Sequence, residues 1–308
     1  MKLTMKEIVR AVLRKVGLEV KRLPATAEAF EQAYIRGGRV PWSFGYSQAK
    51  HKFISKIITD PNLLNIFLKN DNLPEQFGVG FDERCIEYPC LLAHLPPSAK
   101  CVLDAGSVLN HEFILTHPIF SNKNLHIMTL APEGNCFWHK GISYLYNDLR
   151  CIPIQDNYYD AIVCISTLEH IGCDNTIYTG NDADREHRPE DFVLAIQELR
   201  RVLKQGGSLF LSVPFGVYRN FGMFQQFDRA LLTRAIEAFG EASQVSETFY
   251  RYTAGGWQVA TVQDCAKCEF VEWILEAWQH HRWPDSIPVE PDLGAAARAV
   301  ACVYLVKE

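Results

Sequence analysis

The 308-residue chain contains no run approaching the roughly 18 consecutive apolar residues that a membrane-spanning helix requires, and its first residues lack the apolar core and small-residue cleavage site of a secretory signal. A cytoplasmic protein without a membrane span is therefore expected. A basic surplus is also missing: 31 Lys and Arg face 36 Asp and Glu, for a net charge of −5. That sign does not suit the neutralisation of phosphates, so no nucleic-acid partner is expected. Internal repeats and low-complexity tracts are absent as well, which excludes a solenoid. Cysteine is plentiful at ten residues, but Cys101, Cys151, Cys164 and Cys302 sit in apolar, strand-like runs where a thiol behaves as a small hydrophobe, so reduced thiols are expected. Cys265 and Cys268 have the Cys-x-x-Cys spacing of zinc and redox sites. No second pair and no His-x-x-x-His accompanies them, so a metal is not expected, and the alternative is two thiols one helical turn apart.

What the chain does have is 48% hydrophobic and 22% charged residues, the balance of a globular protein with room for one large domain and an appendage. Residues 4–18 place Met5, Ile8, Val9, Val12, Leu13 and Val16 at helical spacing, with Lys6, Arg10, Arg14 and Lys15 opposite. Such a helix packs on its own core, docks on a partner or lies on an anionic membrane surface. Turn signals at 37–41, 61 and 74–80 cut the first hundred residues into short helices, and residues 1–84 read as a helical N-terminal extension to a domain over 85–308.

From Lys100 onward, strand-length apolar runs alternate with helical patterns, the signature of a parallel sheet covered by helices. Strands are expected at 101–104, 125–130, 142–146, 161–166, 208–213, 244–250 and 300–306. Helices are expected near 112–116, 189–203, 229–238 and 265–279. Pro189 suits a first helical turn, and Gly206-Gly207 is expected to end that helix. The result is an α/β, Rossmann-like, doubly wound, seven-stranded, mostly parallel sheet with a helical extension.

Three segments carry the functional argument. VLDAGS at 102–107 is an apolar strand that ends in Asp104 and runs into Gly106, where the backbone can approach a ligand at the switch point of a doubly wound sheet; a cap on the following helix is the alternative. NDLRCIPIQDNYYDAIVCISTLEHIG at 147–172 sets Asp148 after one strand and Thr167-Leu168-Glu169-His170 after the next. ELRRVLKQGGSLFLSVPFG at 198–216 joins an amphipathic helix that buries Ile196, Leu199, Val202 and Leu203 to a buried strand.

In this order and spacing, the three segments resemble class I S-adenosylmethionine-dependent methyltransferases, in particular a type 11-like branch, over roughly residues 85–306. The chain is also similar in outline to methyltransferase-like proteins of bacterial polysaccharide pathways. The resemblance implies S-adenosylmethionine as cofactor. It further implies that Asp104 and Gly106 shape the site of its methionine part, that Asp148 accepts from the adenine amino group, that backbone around Leu149 frames the ring, and that Ser166 lies where cofactor and acceptor meet. The loop departs from the family's G-x-G-x-G, reading Gly106-Ser107-Val108-Leu109-Asn110. The second strand offers Thr129 where an acid usually grips the ribose, so Glu133 either does this from the loop or is a solvated carboxylate. His170 is the candidate general base, needed where the acceptor must lose a proton, although the Glu-His pair also fits a local structural role.

Two further stretches stay open. Residues 217–228, VYRNFGMFQQFD, form an acceptor-facing aromatic wall or simply pack their loop on the sheet. The polar insertion 172–189 is a lid or a solvated loop. The expected function is methyl transfer to a small molecule or saccharide precursor. The alternative is a non-catalytic methyltransferase-like domain that binds a protein partner, for which the altered glycine loop argues. A nicotinamide-dependent dehydrogenase fits poorly, because the first loop lacks G-x-G-x-x-G.

Overall fold

The computed structural model describes residues 26–279 and 287–308; the amphipathic pattern at 4–18 lies outside the described residues. Helices α1 (Ala27–Arg36), α2 (Tyr46–Ile58), α3 (Pro61–Lys69) and α4 (Arg84–His94) precede the sheet, and the short α5 (Glu112–Leu115) follows its first strand. Their ends are chemically marked. Thr26 caps α1 through Ala29 N–H, and Asp60 caps α3 ahead of a proline whose missing N–H costs nothing at a first turn.

Strands β1 (Cys101–Ala105), β2 (Asn124–Thr129), β3 (Ser143–Tyr146), β4 (Tyr159–Ile165) and β5 (Leu203–Pro214) run parallel to one another. β6 (Arg219–Asn220) and β7 (Gln225–Gln226) form a separate hairpin, while β8 (Ala242–Thr253), β9 (Gly256–Ala260) and β10 (Ala299–Lys307) complete the main sheet in the order β3-β2-β1-β4-β5-β10-β8-β9. β10 is antiparallel to both neighbours. The chain winds outward from β1 to β3, then returns to β4, so the order reverses between β1 and β4 and opens a crevice at their carboxyl ends. Asp160 fixes the opposite ends, accepting from Lys100 and Cys101 N–H at 2.8 Å each and pairing with Lys204 Nζ at 2.6 Å.

Period-2 alternation sends Val102 to one face and Leu103 to the other, and each face builds its own core. On one face, Val102, Ile127 and Phe210 share a core with Tyr34, Ile54, Phe67 and Trp257, so residues on both sides of position 84 bury one another's apolar surface. On the other, Leu103, Met128, Ile162 and Leu209 pack beneath α7 (Phe192–Val202) and α8 (Arg229–Phe239).

The sheet has eight strands, not seven. The added strand is β9, turned back onto β8, and Trp257 anchors it: the buried indole donates to Phe81 O at 3.0 Å and its backbone N–H to Phe77 O at 2.8 Å. Two other expectations are corrected. Gly206-Gly207 does not end a helix. α7 stops at Val202, β5 begins at Leu203, and the glycines sit where the register with β4 shifts, Gly206 with φ +70°. The helix expected over 265–279 is two, α9 (Val262–Cys265) and α10 (Glu272–Gln279), because the Cys268 carbonyl turns away to accept from Val217 N–H and Gln226 Nε2. Cys164 and Cys302 are buried free thiols as read, whereas Cys151 is exposed in the turn after Leu149. Among the described residues no helix is long and apolar enough to cross a membrane.

Candidate functional site

Two groups of residues meet at the carboxyl ends of the strands. The first is the loop that leaves β1. Asp104 is fully buried, and its carboxylate accepts from Val108 N–H at 3.2 Å and Leu109 N–H at 2.7 Å, folding the loop back over the strand end. Burial pushes its carboxyl up to about 8, against the pull of these two amides. Gly106 takes φ +118°, and an added Cβ would lie 2.7 Å from Thr167 Cβ. Here the glycine is demanded by the approach of the β4 end. Ser107, at φ +64°, buries a hydroxyl that has no hydrogen-bond partner.

Asn110 ties this loop to the next crossover. Its amide donates to Glu133 Oε2 at 2.8 Å and to Asn135 O at 3.0 Å, while its oxygen accepts from Tyr144 OH at 2.8 Å. Glu133 is thereby held beside the loop rather than left to swing in solvent. Asp148 is less free than the sequence implies. Arg150 takes both of its oxygens, at 3.0 and 2.6 Å, and reaches on to Glu186 and Asp191. The guanidinium holds the Asp148 carboxyl below the usual carboxylate range despite its burial. Leu149 is buried in the core under the turn.

The second group surrounds a cavity of about 590 Å³ beyond the ends of β4 and β5. Ser166, Glu169, His170 and Pro214 come from the strand ends, and Glu83 and Arg84 from the start of α4. Tyr178 of α6 (Thr176–Thr179), Met223, Phe224, Phe270 and Trp278 make an apolar wall. Of the sequence-derived candidates, Ser166 and His170 line this cavity; Asp104, Gly106, Glu133, Asp148 and Leu149 do not. The floor is anchored by Glu87, which is fully buried and accepts from Ser166 Oγ at 2.7 Å and Ser212 Oγ at 2.6 Å while pairing with Arg84. Ser166 is held at φ +38°, a strained conformation that this contact secures.

His170 Nδ1 lies 2.8 Å from the Met223 carbonyl oxygen. A carbonyl only accepts, so Nδ1 carries the proton and Nε2 keeps the ring's lone pair. Burial pushes the imidazole down to about 4, so it is neutral near pH 7. Glu169 is 2% exposed, and its Oε2 has no partner; burial drives its carboxyl well above the usual range.

Sequence reasoning missed Glu83, Arg84 and Glu87, and treated Glu169 as part of a local pattern. A signal was present in ERCIEYP: Glu87, flanked by Ile86 and Tyr88 on a helix otherwise buried, is a charge that must find partners across the fold. Of the two open stretches, 217–228 contributes Met223 and Phe224 to the wall, with Tyr218 exposed, and the insertion contributes Ile177 and Tyr178.

A family model described as a methyltransferase domain matches residues 128–211, from β2 into β5. No curated protein matches the sequence. Among solved structures, the chain is similar to an S-adenosylmethionine-dependent methyltransferase from Archaeoglobus fulgidus, at 13% identity over 74% of this chain and 96% of that one, with a TM-score of 0.43. It is also similar to the 1,6-didemethyltoxoflavin-N1-methyltransferase of Burkholderia thailandensis, solved with 1,6-didemethyltoxoflavin and S-adenosylhomocysteine bound, at 12% identity over 94% of each chain and a TM-score of 0.41.

Proposed function

We propose that the chain is a cytoplasmic methyltransferase that takes its methyl group from S-adenosylmethionine and delivers it to a small-molecule or saccharide acceptor held in the 590 Å³ cavity. One observation carries this reading. Gly106 of the β1 loop packs directly against Thr167, the neighbour of Ser166 on the cavity floor, so a ligand over the loop and a ligand in the cavity would be adjacent.

The residues beside the loop fit such a cofactor. Ser107 offers a buried, unpartnered hydroxyl at the methionine end. Glu133, already anchored through Oε2, would face the ribose hydroxyls. Asp148 would share its carboxylate between Arg150 and the adenine amino group. When bound, the cofactor supplies an activated methyl group on a sulfonium centre. The chain's own work is to shape the loop through Asp104, to exclude water with the aromatic wall, and to receive a proton at His170 Nε2 where the acceptor must lose one.

Calorimetric titration of the full chain with S-adenosylmethionine and S-adenosylhomocysteine tests the reading. Micromolar affinity, about −8 kcal/mol, that weakens in Asp148→Ala is expected. Absence of binding to the folded chain overturns it.

A further inference from the structure

We propose that the cavity beyond β4 and β5 is built for a cationic amine, with the Glu169 carboxylate receiving the ammonium group and Tyr178, Phe224, Phe270 and Trp278 enclosing it. The inference rests on the reading of this cavity as the acceptor site and adds the chemical class of the acceptor. Its ground is an inventory of what the lining can still do. Among the described residues Arg84 is the one permanent cation of the lining, and Glu87 takes its Nη1 from beneath. The Ser166 hydroxyl is spent on Glu87 as well. Acceptor capacity stays available opposite the aromatic wall: Glu169 Oε2, buried and unpartnered, and the Nε2 lone pair of His170. Glu83 adds a second carboxyl, one oxygen of which accepts from Ala297 N–H at 3.3 Å.

Two carboxyls and a lone pair on one side of the cavity favour a guest that brings N–H bonds and a positive charge. The wall selects further, because the faces of Trp, Tyr and Phe attract cations and do so more strongly out of water. An uncharged alcohol would meet the same rings, but would satisfy Glu169 with a single hydrogen bond and no charge.

Binding should also move a proton. In the empty cavity burial keeps the Glu169 carboxyl protonated beyond its usual range, and an arriving ammonium group favours the carboxylate. The groups that face Glu169 are Glu83 at the N-terminal end of α4, Arg84 and Glu87 on α4, Cys164 on β4, the neighbouring His170, and Cys173 and Tyr178 of the insertion. Among these, Glu83 is also raised, to about 8, so it can share in the release.

The test is titration calorimetry of the full chain with benzylamine and with benzyl alcohol, in two buffers of different ionisation heat, at pH 6 and pH 8. Benzylamine is expected to bind about tenfold tighter than the alcohol, to release up to one proton, and to bind more tightly at pH 8. Glu169→Gln should cut amine affinity about tenfold, suppress the proton release and leave the alcohol unchanged. Equal affinities for amine and alcohol on the unaltered chain overturn the proposal even if the variant does not fold, as does unchanged amine binding in a folded variant. A parallel titration with S-adenosylhomocysteine separates the two readings. Amine preference without its binding sinks the methyltransferase reading and leaves the cation site standing, whereas its binding without amine preference sinks the cation site alone.

Discussion

The two halves of the crevice treat their acidic side chains differently. At the ends of β1 to β3, Asp104, Asn110 and Asp148 are each consumed by the protein itself: by two loop amides, by Glu133 with Asn135 and Tyr144, and by Arg150. At the ends of β4 and β5 the fold leaves Glu169 Oε2 without a partner beside an open cavity. A buried polar group left unmatched costs stability. The carboxyl groups of the first half therefore form a shelf that holds its loops in shape, with Ser107 Oγ the buried hydroxyl left over, and Glu169 makes the second half a socket. Substitutions at Gly106 and Arg150 should accordingly cost stability, and substitution of Glu169 should cost amine binding.

The sharpest way to break this division is Gly106→Ala. The added methyl runs into Thr167 in a backbone conformation that L-residues avoid, and a loss of about 4 kcal/mol is expected by urea denaturation. Adding Thr167→Gly should recover part of that loss. If Gly106→Ala alone leaves stability untouched, the loop is not a rigid shelf. A smaller effect is expected at Arg150, which gathers Asp148, Glu186 and Asp191 around one guanidinium at the edge of the shelf. Arg150→Ala should cost about 2 kcal/mol and speed hydrogen exchange over residues 172–188, since it strands Asp148 and leaves Glu186 and Asp191 to Arg188 alone. Unchanged exchange there would show that Arg150 does not tether the insertion.

The same division explains what could be read from sequence. The seven strands first expected fall where the apolar runs fall, because burial on two faces demands such runs whatever the site does. β9 escaped because Gly-Trp-Gln-Val-Ala is a strand only when a tryptophan finds the Phe81 carbonyl 176 residues away. Shelf residues such as Asp104 and Gly106 were legible because strand and loop are contiguous. The socket was half legible: Ser166 and His170 lie at a strand end, but Glu87, 79 residues from Ser166 in the chain, belongs to a helix at the boundary of the extension. Asp148 was legible as a position and not as a state, since nothing local says that Arg150 will take both of its oxygens while also reaching Glu186 and Asp191.

The smallest expected effect is also the most discriminating, because its sign differs from those on the shelf. Glu169→Gln removes an ionisable group that the empty fold accommodates poorly, so it should raise stability, by about 1 kcal/mol at pH 7. The pH dependence follows from linkage. The carboxyl is raised in the folded chain, so between its ordinary value and the raised one the folded state binds more protons than the unfolded state, and stability falls as pH rises through that window. Gln has no such term. The difference between variant and parent should therefore be near zero at pH 4 and widen steadily toward pH 8, measured as urea midpoints across that range. A Glu169 that stabilised the parent at pH 8 would have a partner inside the empty fold, and the socket would then be one more part of the shelf.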